Sequence, residues 1–443
     1  MRRVTILFLS TIFIWSCAND DYQYQDLTES DLLESELIAL YGSLNALSFP
    51  EASDYQSIPA DVKNIITPEK IELGKFLFHE TGLAKNPKKE EGLNTYSCAS
   101  CHQAKAGFQS GIKQGIGEGG SGFGLFGEGR TKNSSYTNLE LDIQPIRSPS
   151  ILNVAYQDVM LWNGQFGGVK TNEGTQEAWT SGTPKATNEL GFEGVETQAI
   201  AGLGVHRLTC TPEMIQASAY KALFDAAFPE IPQSERYTDK YAGLAIAAYE
   251  RSVLANEAPF QLWLNGNKNA LETTEIKGAR LFYGKANCYA CHSGPGMNDM
   301  SFHALGMNDL EGEAVFMEVD EATKRGRGGF TNRPEDDYKF KVPTLYNLKD
   351  VHFLGHGGSF TNVKEVVEYK NKAEIENKTI NRNNLSPLFV PLDLTVEEVN
   401  QLTSFIENGL YDPNLQRYEP EALPTGNCFP DADVQAKNDM NCG

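Results

Sequence analysis

Apolar positions recur at helical spacing in several short stretches and almost nowhere alternate as a strand would, which predicts an all-α chain with long irregular loops. Residues 71–78, Ile-Glu-Leu-Gly-Lys-Phe-Leu-Phe, and residues 276–283, Ile-Lys-Gly-Ala-Arg-Leu-Phe-Tyr, each read as a short amphipathic helix. They share Gly-x-x-Leu-Phe, a weak internal repeat. Thr67-Pro68 gives the first copy an N-cap and a proline at its first helical position. A further helix is predicted over 237–254, and Thr395-Val396-Glu397-Glu398 is a capping box that opens a last one through Leu402, Phe405 and Ile406. Residues 162–194 are polar and rich in Gly and Thr, an irregular insertion. Residues 115–129 hold eight glycines in fifteen positions but no Gly-Lys-Ser/Thr, so they read as a mobile surface loop and not as a phosphate cradle.

These signals divide the chain. Residues 18–60 form an N-terminal tether and helix, 61–258 a first domain, 259–271 a linker, 272–415 a second domain and 416–443 a C-terminal tail. Residues 1–17 stand apart: Arg2 and Arg3 precede an apolar run from Val4 to Trp15, then Ser16 and Cys17. That order reads as an export signal, with Cys17 placed as the lipidated cysteine of a bacterial lipoprotein and Asn19, Asp20 and Asp21 as its polar tether. The expected location is the periplasm or the cell surface, with a lipid as the only membrane contact.

Charge narrows the partners. With 38 Lys+Arg against 59 Asp+Glu the formal net charge is −21, which leaves no basic surface for nucleic acid and favours a cationic protein partner.

The cysteines carry the chemistry. Cys98-Ala99-Ser100-Cys101-His102 and Cys288-Tyr289-Ala290-Cys291-His292 are both C-x-x-C-H, the attachment motif of c-type haem. Two thiols one helical turn apart suit the two vinyl groups, and the next residue offers an imidazole nitrogen to the iron. A thioredoxin-like redox pair does not need the trailing histidine, and a zinc site would need partner ligands at similar spacing. Of the remaining cysteines, Cys428 and Cys442 are placed to close a disulfide in an exported chain, and Cys210 reads as a buried or free thiol.

Over roughly residues 65–410 the chain resembles the bacterial dihaem cytochrome c peroxidase family, which also includes the methylamine-utilisation protein MauG. The resemblance is carried by residues 73–78, the two haem motifs, Pro149 to Val154, Leu161 to Gly164, Thr197 to Ala199, Pro212 to Met214, Cys288 to Pro295, Phe340 to Leu345, and His356-Gly357-Gly358 followed by Val363 to Val367. It implies two covalently attached haems. The one on His102 would be the peroxidatic site, and the one on His292 the electron entry, with Trp162 as the bridge between them. It also implies hydrogen peroxide as substrate and a small cytochrome c or cupredoxin as donor, and family members are often homodimers. The acid/base role maps to Glu213 with Gln198 as its polar neighbour, although the interval between them is longer than usual and contains His206, an alternative acid/base group or sixth ligand. No histidine lies between His102 and His206, so the capping ligand of many family members is missing and the first haem is expected to be open without reductive activation, as in MauG.

At the second haem the in-register distal residue is Lys370, with Tyr369 immediately before it. Adjacent helical residues point about 100° apart, so only one of the two can serve. Met297, Met300 and Met307 stand further back. A calcium ion between the haems belongs to the family pattern, but Arg147 occupies the position of its Asn ligand. The resemblance thus implies an enzyme that reduces peroxide to water. A MauG-like oxidase acting on a protein or small molecule is the first alternative and a non-enzymatic electron carrier the second.

Overall fold

The computed structural model describes residues 27–442, positions 52 and 217 excepted, so the signal-like segment and Cys17 lie outside the described residues. Among the described residues fourteen α-helices are joined by long stretches of turn and single-turn 3-10 helix. In chain order they are α1 (Glu29–Tyr41), α2 (Pro68–His79), α3 (Gly194–Val205), α4 (Pro212–Gln216), α5 (Tyr220–Ala227), α6 (Gln233–Arg236), α7 (Asp239–Ser252), α8 (Pro259–Leu264), α9 (Thr273–Tyr283), α10 (Glu321–Lys324), α11 (Arg327–Thr331), α12 (Val363–Lys372), α13 (Val396–Ser404) and α14 (Val434–Asp439). The only sheet among the described residues is two antiparallel pairs of two-residue strands, β1 (Gly120–Ser121) with β2 (Thr131–Lys132) and β3 (Phe302–His303) with β4 (Phe340–Lys341). The all-α expectation holds. No helix among the described residues is long and apolar enough to cross a membrane.

The internal repeat has a structural meaning. Helix α2, capped by Thr67, crosses α7, and helix α9 crosses α13. In both copies the shared glycine sits at the crossing. A Cβ on Gly74 would lie 1.9 Å from the carbonyl oxygen of Ala245 in α7, and one on Gly278 would lie 2.0 Å from that of Gln401 in α13. Each motif helix can pack backbone to backbone only where a side chain is absent. The shared Leu-Phe pair lies on the same stretch, with Leu77, Phe78 and Phe282 buried. Gly278→Ala is expected to cost about 2–3 kcal/mol through overpacking, read as a lowered thermal midpoint of the purified protein; an unchanged midpoint would mean that the crossing is loose.

Helix α3 is fixed to α7 by a buried ion pair, Arg251 Nη2 to Glu196 Oε2 at 2.7 Å, with Glu193 adding a second contact at 3.1 Å. The pair sets the direction in which α3 delivers its C-terminal residue, His206.

Three expectations change. The segment 259–271, read as a linker, begins with helix α8: Pro259 starts the helix, and Phe260 and Trp263 are wholly buried, so its first half is core. The glycine-rich stretch is not a mobile loop over most of its length, because residues 114–120 are buried and only the tip around Leu125 and Phe126 is exposed. Its anchor is Arg130, which donates to the carbonyls of Ile116 (2.6 Å) and Gly117 (2.7 Å) and pairs with Asp431 at 2.9 Å. The glycines make room for it, since a Cβ on Gly120 would lie 2.4 Å from the guanidinium. Third, the segment read as a C-terminal tail packs against the first domain. It returns to the first haem motif, where Ser97 Oγ donates to the Pro430 carbonyl at 2.8 Å, Ser100 Oγ to Asp431 at 2.6 Å, and the Ala432 amide to the Thr95 carbonyl at 2.9 Å. The Cys428–Cys442 disulfide is present and closes this tail on itself, while Cys210 is a buried free thiol.

Candidate active site

Each C-x-x-C-H sequence forms one 3-10 turn, Cys98–Ser100 and Cys288–Ala290, which leaves all four motif cysteines free and half-buried. Burial pushes the Cys98 and Cys288 thiols up to about 12, so neither is poised as the thiolate of a redox pair. The two histidines are held alike. His102 Nδ1 donates to the Phe108 carbonyl at 3.2 Å, and His292 Nδ1 faces the carbonyls of Met297 at 3.1 Å and Pro343 at 3.2 Å. That bond fixes the tautomer and leaves Nε2 as the bare lone pair. Burial lowers both imidazoles to about 4, so they are neutral, the form that ligates iron. Free thiols one turn apart beside a neutral, oriented imidazole fit a haem at both motifs. The first is crowded on its far side: a Cβ on Gly115 would lie 2.9 Å from Cys101 Sγ, which is the physical need for a glycine there.

A largely apolar cavity of about 220 Å3 lies at the second motif. Its lining includes Cys291, His292, Trp162, Met307, His356 and Lys370. Lys370 is on α12, and burial lowers its amine to about 8 while the motif cysteines act in the opposite sense. Its neighbour Tyr369 does not line this cavity. The Tyr369 hydroxyl donates to the Leu305 carbonyl at 2.5 Å, and its ring packs between Phe360 and Phe389 at 5.0 and 5.2 Å. Of the two residues Lys370 lines the cavity, whereas α12 turns the Tyr369 ring into the core. Of the methionines, Met307 reaches the cavity, whereas Met297 is buried and meets His292 through its backbone carbonyl.

Trp162 is half-buried on the cavity wall. Its indole N–H donates to the Arg147 carbonyl at 2.9 Å, and its ring meets His356 edge-on at 6.4 Å between centroids. His356 in turn stacks on Phe340 at 3.7 Å.

The proton-handling residues divide. Glu213 is exposed on the five-residue helix α4 and enters no side-chain hydrogen bond or ion pair among the described residues, so water, and not a protein cradle, surrounds it. Gln198 is half-buried on α3. His206, the C-cap of α3, is engaged on both nitrogens: Nδ1 lies 3.0 Å from the carboxylate of Asp142, and Nε2 lies 3.0 Å from the Gln144 amide. Burial opposes a charge on this ring, but Asp142 beside it outweighs burial and its pKa is raised. The electrostatic reach of His206 extends to His102, whose protonation it disfavours. Asp142 was not legible as a partner. It stands 64 residues before His206 with no spacing relation between them, and the glycine-rich segment joins them, the Gly117 amide donating to the Asp142 carbonyl at 2.8 Å.

Comparison with known proteins gives a consistent answer. The di-haem cytochrome c peroxidase family model matches residues 68–269, which include the first motif, Trp162 and His206. The chain is 29% identical over 389 residues to cytochrome-c peroxidase IdrP1 of Pseudomonas sp. strain SCT, an alignment covering 82% of this chain and 86% of that protein. It is 27% identical over 363 residues to the methylamine utilization protein MauG of Methylorubrum extorquens, covering 81% and 83%. The fold is similar to the crystal structure of a MauG-like protein associated with microbial copper homeostasis, with a TM-score of 0.56 at 22% identity over 83% of this chain and 95% of that one. With two C-x-x-C-H motifs, a cavity on the second and relatives aligned along most of its length, the chain is similar to the di-haem cytochrome c peroxidases and MauG proteins.

Proposed function

We propose that the protein is an exported dihaem peroxidase that reduces hydrogen peroxide to two waters, taking two protons from solvent and two electrons delivered one at a time by a small cationic redox protein. The observation that supports this best is the pairing of two equivalent histidine cradles with a Trp162-lined cavity at one of them. Cys98 and Cys101 would hold one haem covalently and Cys288 and Cys291 the other, with His102 and His292 each offering a ring nitrogen to the iron. When bound, the haems supply a redox-active iron at each site, one open to peroxide and one that receives electrons from the donor.

The protein's own groups do the rest. His206 Nε2 takes the proton of the incoming peroxide and returns it to the departing oxygen, Gln144 giving way to the substrate, while Asp142 holds Nδ1–H and keeps the ring oriented. This assigns to His206 the role the family pattern laid on Glu213, with Gln198 as a polar neighbour on the same helix. Trp162 lies on the electron path between the sites. Lys370 would offer an amine nitrogen to a haem held at His292, and its burial favours the neutral amine that ligation requires. The net charge of −21 suits a cationic cytochrome c as donor. Cys17 carries a lipid that holds the catalytic body at a membrane surface.

The test is peroxide-dependent oxidation of a pre-reduced small cytochrome c, run with and without prior partial reduction of the enzyme. Rapid turnover of the fully oxidised enzyme is expected, since no histidine between His102 and His206 is available to cap the first iron. Slow cytochrome oxidation with a long-lived oxidised state would favour the MauG-like reading, which loses the support of Tyr369 now that this ring is turned into the core.

A further inference from the structure

Between the two motifs lies a buried cation with no counter-charge. The Arg147 side chain is wholly buried, yet it enters no ion pair among the described residues. Its guanidinium is held by backbone oxygens: Nη1 donates to the carbonyls of Ile112 and, at 3.1 Å, Lys113, and Nη2 donates to that of Ser110 at 3.1 Å. Its Nε–H has no partner. An ionised group inside a protein ordinarily pairs with an opposite charge, because backbone dipoles alone compensate it poorly. Three convergent carbonyls around one positive charge are instead the arrangement that a hard divalent cation takes.

The position matters as much as the chemistry. The three carbonyls belong to the segment that follows the first motif. The Arg147 amide donates to the His356 carbonyl at 3.1 Å, its own carbonyl receives the Trp162 indole, and its guanidinium lies 5.4 Å over the Phe353 ring. Gly358 leaves the passage for its stem, since a Cβ there would come 3.2 Å from Arg147 Cδ. Burial lowers the guanidinium to about 10, so it stays charged at neutral pH, and that charge disfavours protonation of His102. One residue thus touches the first-motif segment, the bridging tryptophan and the His356 segment of the second half.

A calcium ion does not fit here, because Arg147 stands where the family pattern has an Asn ligand and the three carbonyls that converge at this point are already occupied by its tethered cation. We propose that the Arg147 guanidinium is this protein's built-in replacement for a metal ion between the haem sites, which makes the enzyme independent of calcium and ties its fixed positive charge to the Trp162 bridge. The inference rests on the dihaem reading above.

The experiment uses the purified holoprotein. Elemental analysis after exposure to calcium chloride and gel filtration is expected to find less than ~0.1 calcium per chain, against about one for an occupied site. The EPR and visible spectra are expected to be unchanged by EGTA or by added calcium. Stoichiometric calcium, or a chelator-induced change in spin state, overturns the proposal. Arg147→Asn frees the carbonyls of Ser110, Ile112 and Lys113 and adds a fourth oxygen, so this variant is expected to bind about one calcium and to change spin state when it does. Arg147→Lys keeps the charge and is expected to remain insensitive; calcium sensitivity in Arg147→Lys equal to that of Arg147→Asn would count against the charge argument. If Arg147→Asn fails to fold, the measurements on the unaltered protein still decide. A pyridine haemochrome count on the same sample tests the dihaem reading separately, since fewer than two haems per chain would fault that reading without altering the calcium result.

Discussion

Replacement of His206 by glutamine is expected to lower kcat/KM for peroxide by about a hundred-fold or more, the usual contribution of a positioned general acid–base group. The measurement is stopped-flow oxidation of reduced cytochrome c at limiting peroxide, with haem content and thermal midpoint as controls. Glutamine keeps the size and hydrogen-bonding capacity of the ring's rim but can neither accept nor return a proton. The pH profile carries a second signature. Because Asp142 raises the His206 pKa, the neutral ring that can accept a proton becomes the main form at a higher pH than in an ordinary histidine. The acid limb of the wild-type profile should therefore lie above the ordinary histidine range and vanish in His206→Gln. Stability runs the opposite way. A raised folded pKa means that the His206–Asp142 pair contributes its full stabilisation below the unfolded value and loses it as pH rises through the folded one. Wild-type turnover in His206→Gln, together with loss of turnover in Glu213→Gln, would return the role to the exposed carboxylate.

The second large effect is spectroscopic. Lys370→Ala is expected to remove the second axial nitrogen at the His292 site and to convert its low-spin EPR signal to a high-spin one, with a corresponding loss of electron transfer from the donor. Tyr369→Phe is expected to leave that signal unchanged, since the hydroxyl it removes is bonded to the Leu305 carbonyl outside the cavity. The pair of variants separates two adjacent residues that sequence register alone could not tell apart. An unaltered low-spin signal in Lys370→Ala would move ligation to another side chain, with Met307 the next residue on the cavity wall.

The contrast between these residues indicates where sequence reading works. The haem motifs, the two motif helices and the crossing glycines are local: five or eight consecutive residues carry the whole signal, and the structure repeats it twice. Helices α7 and α13 were legible for the same reason, because their apolar spacing and caps lie within one turn of one another. What was not legible is pairing across the chain. Asp142 meets His206, Arg130 meets Asp431, and Arg147 meets Ser110, Ile112 and Lys113 through contacts that leave no periodicity behind. Composition misled where it was read as flexibility. The glycines of residues 115–129 admit a buried arginine and a crowded thiol, and so they serve close packing more than motion. Helix α8 was missed because six residues are too few for a period, and only burial of Phe260 and Trp263 reveals it.

The tail that closes over the first haem motif has a consequence for biogenesis. Thr95, Ser97 and Ser100 receive their partners from residues 430–432, more than 300 positions later in the chain. During synthesis the Cys98–His102 turn emerges well before the residues that seal it. The motif is thus left uncovered while the intervening residues are made, an interval in which both thiols are open to reaction. Arrival of residues 430–432 then covers the turn and restricts that access, so the order of the chain would favour any cofactor attachment before closure.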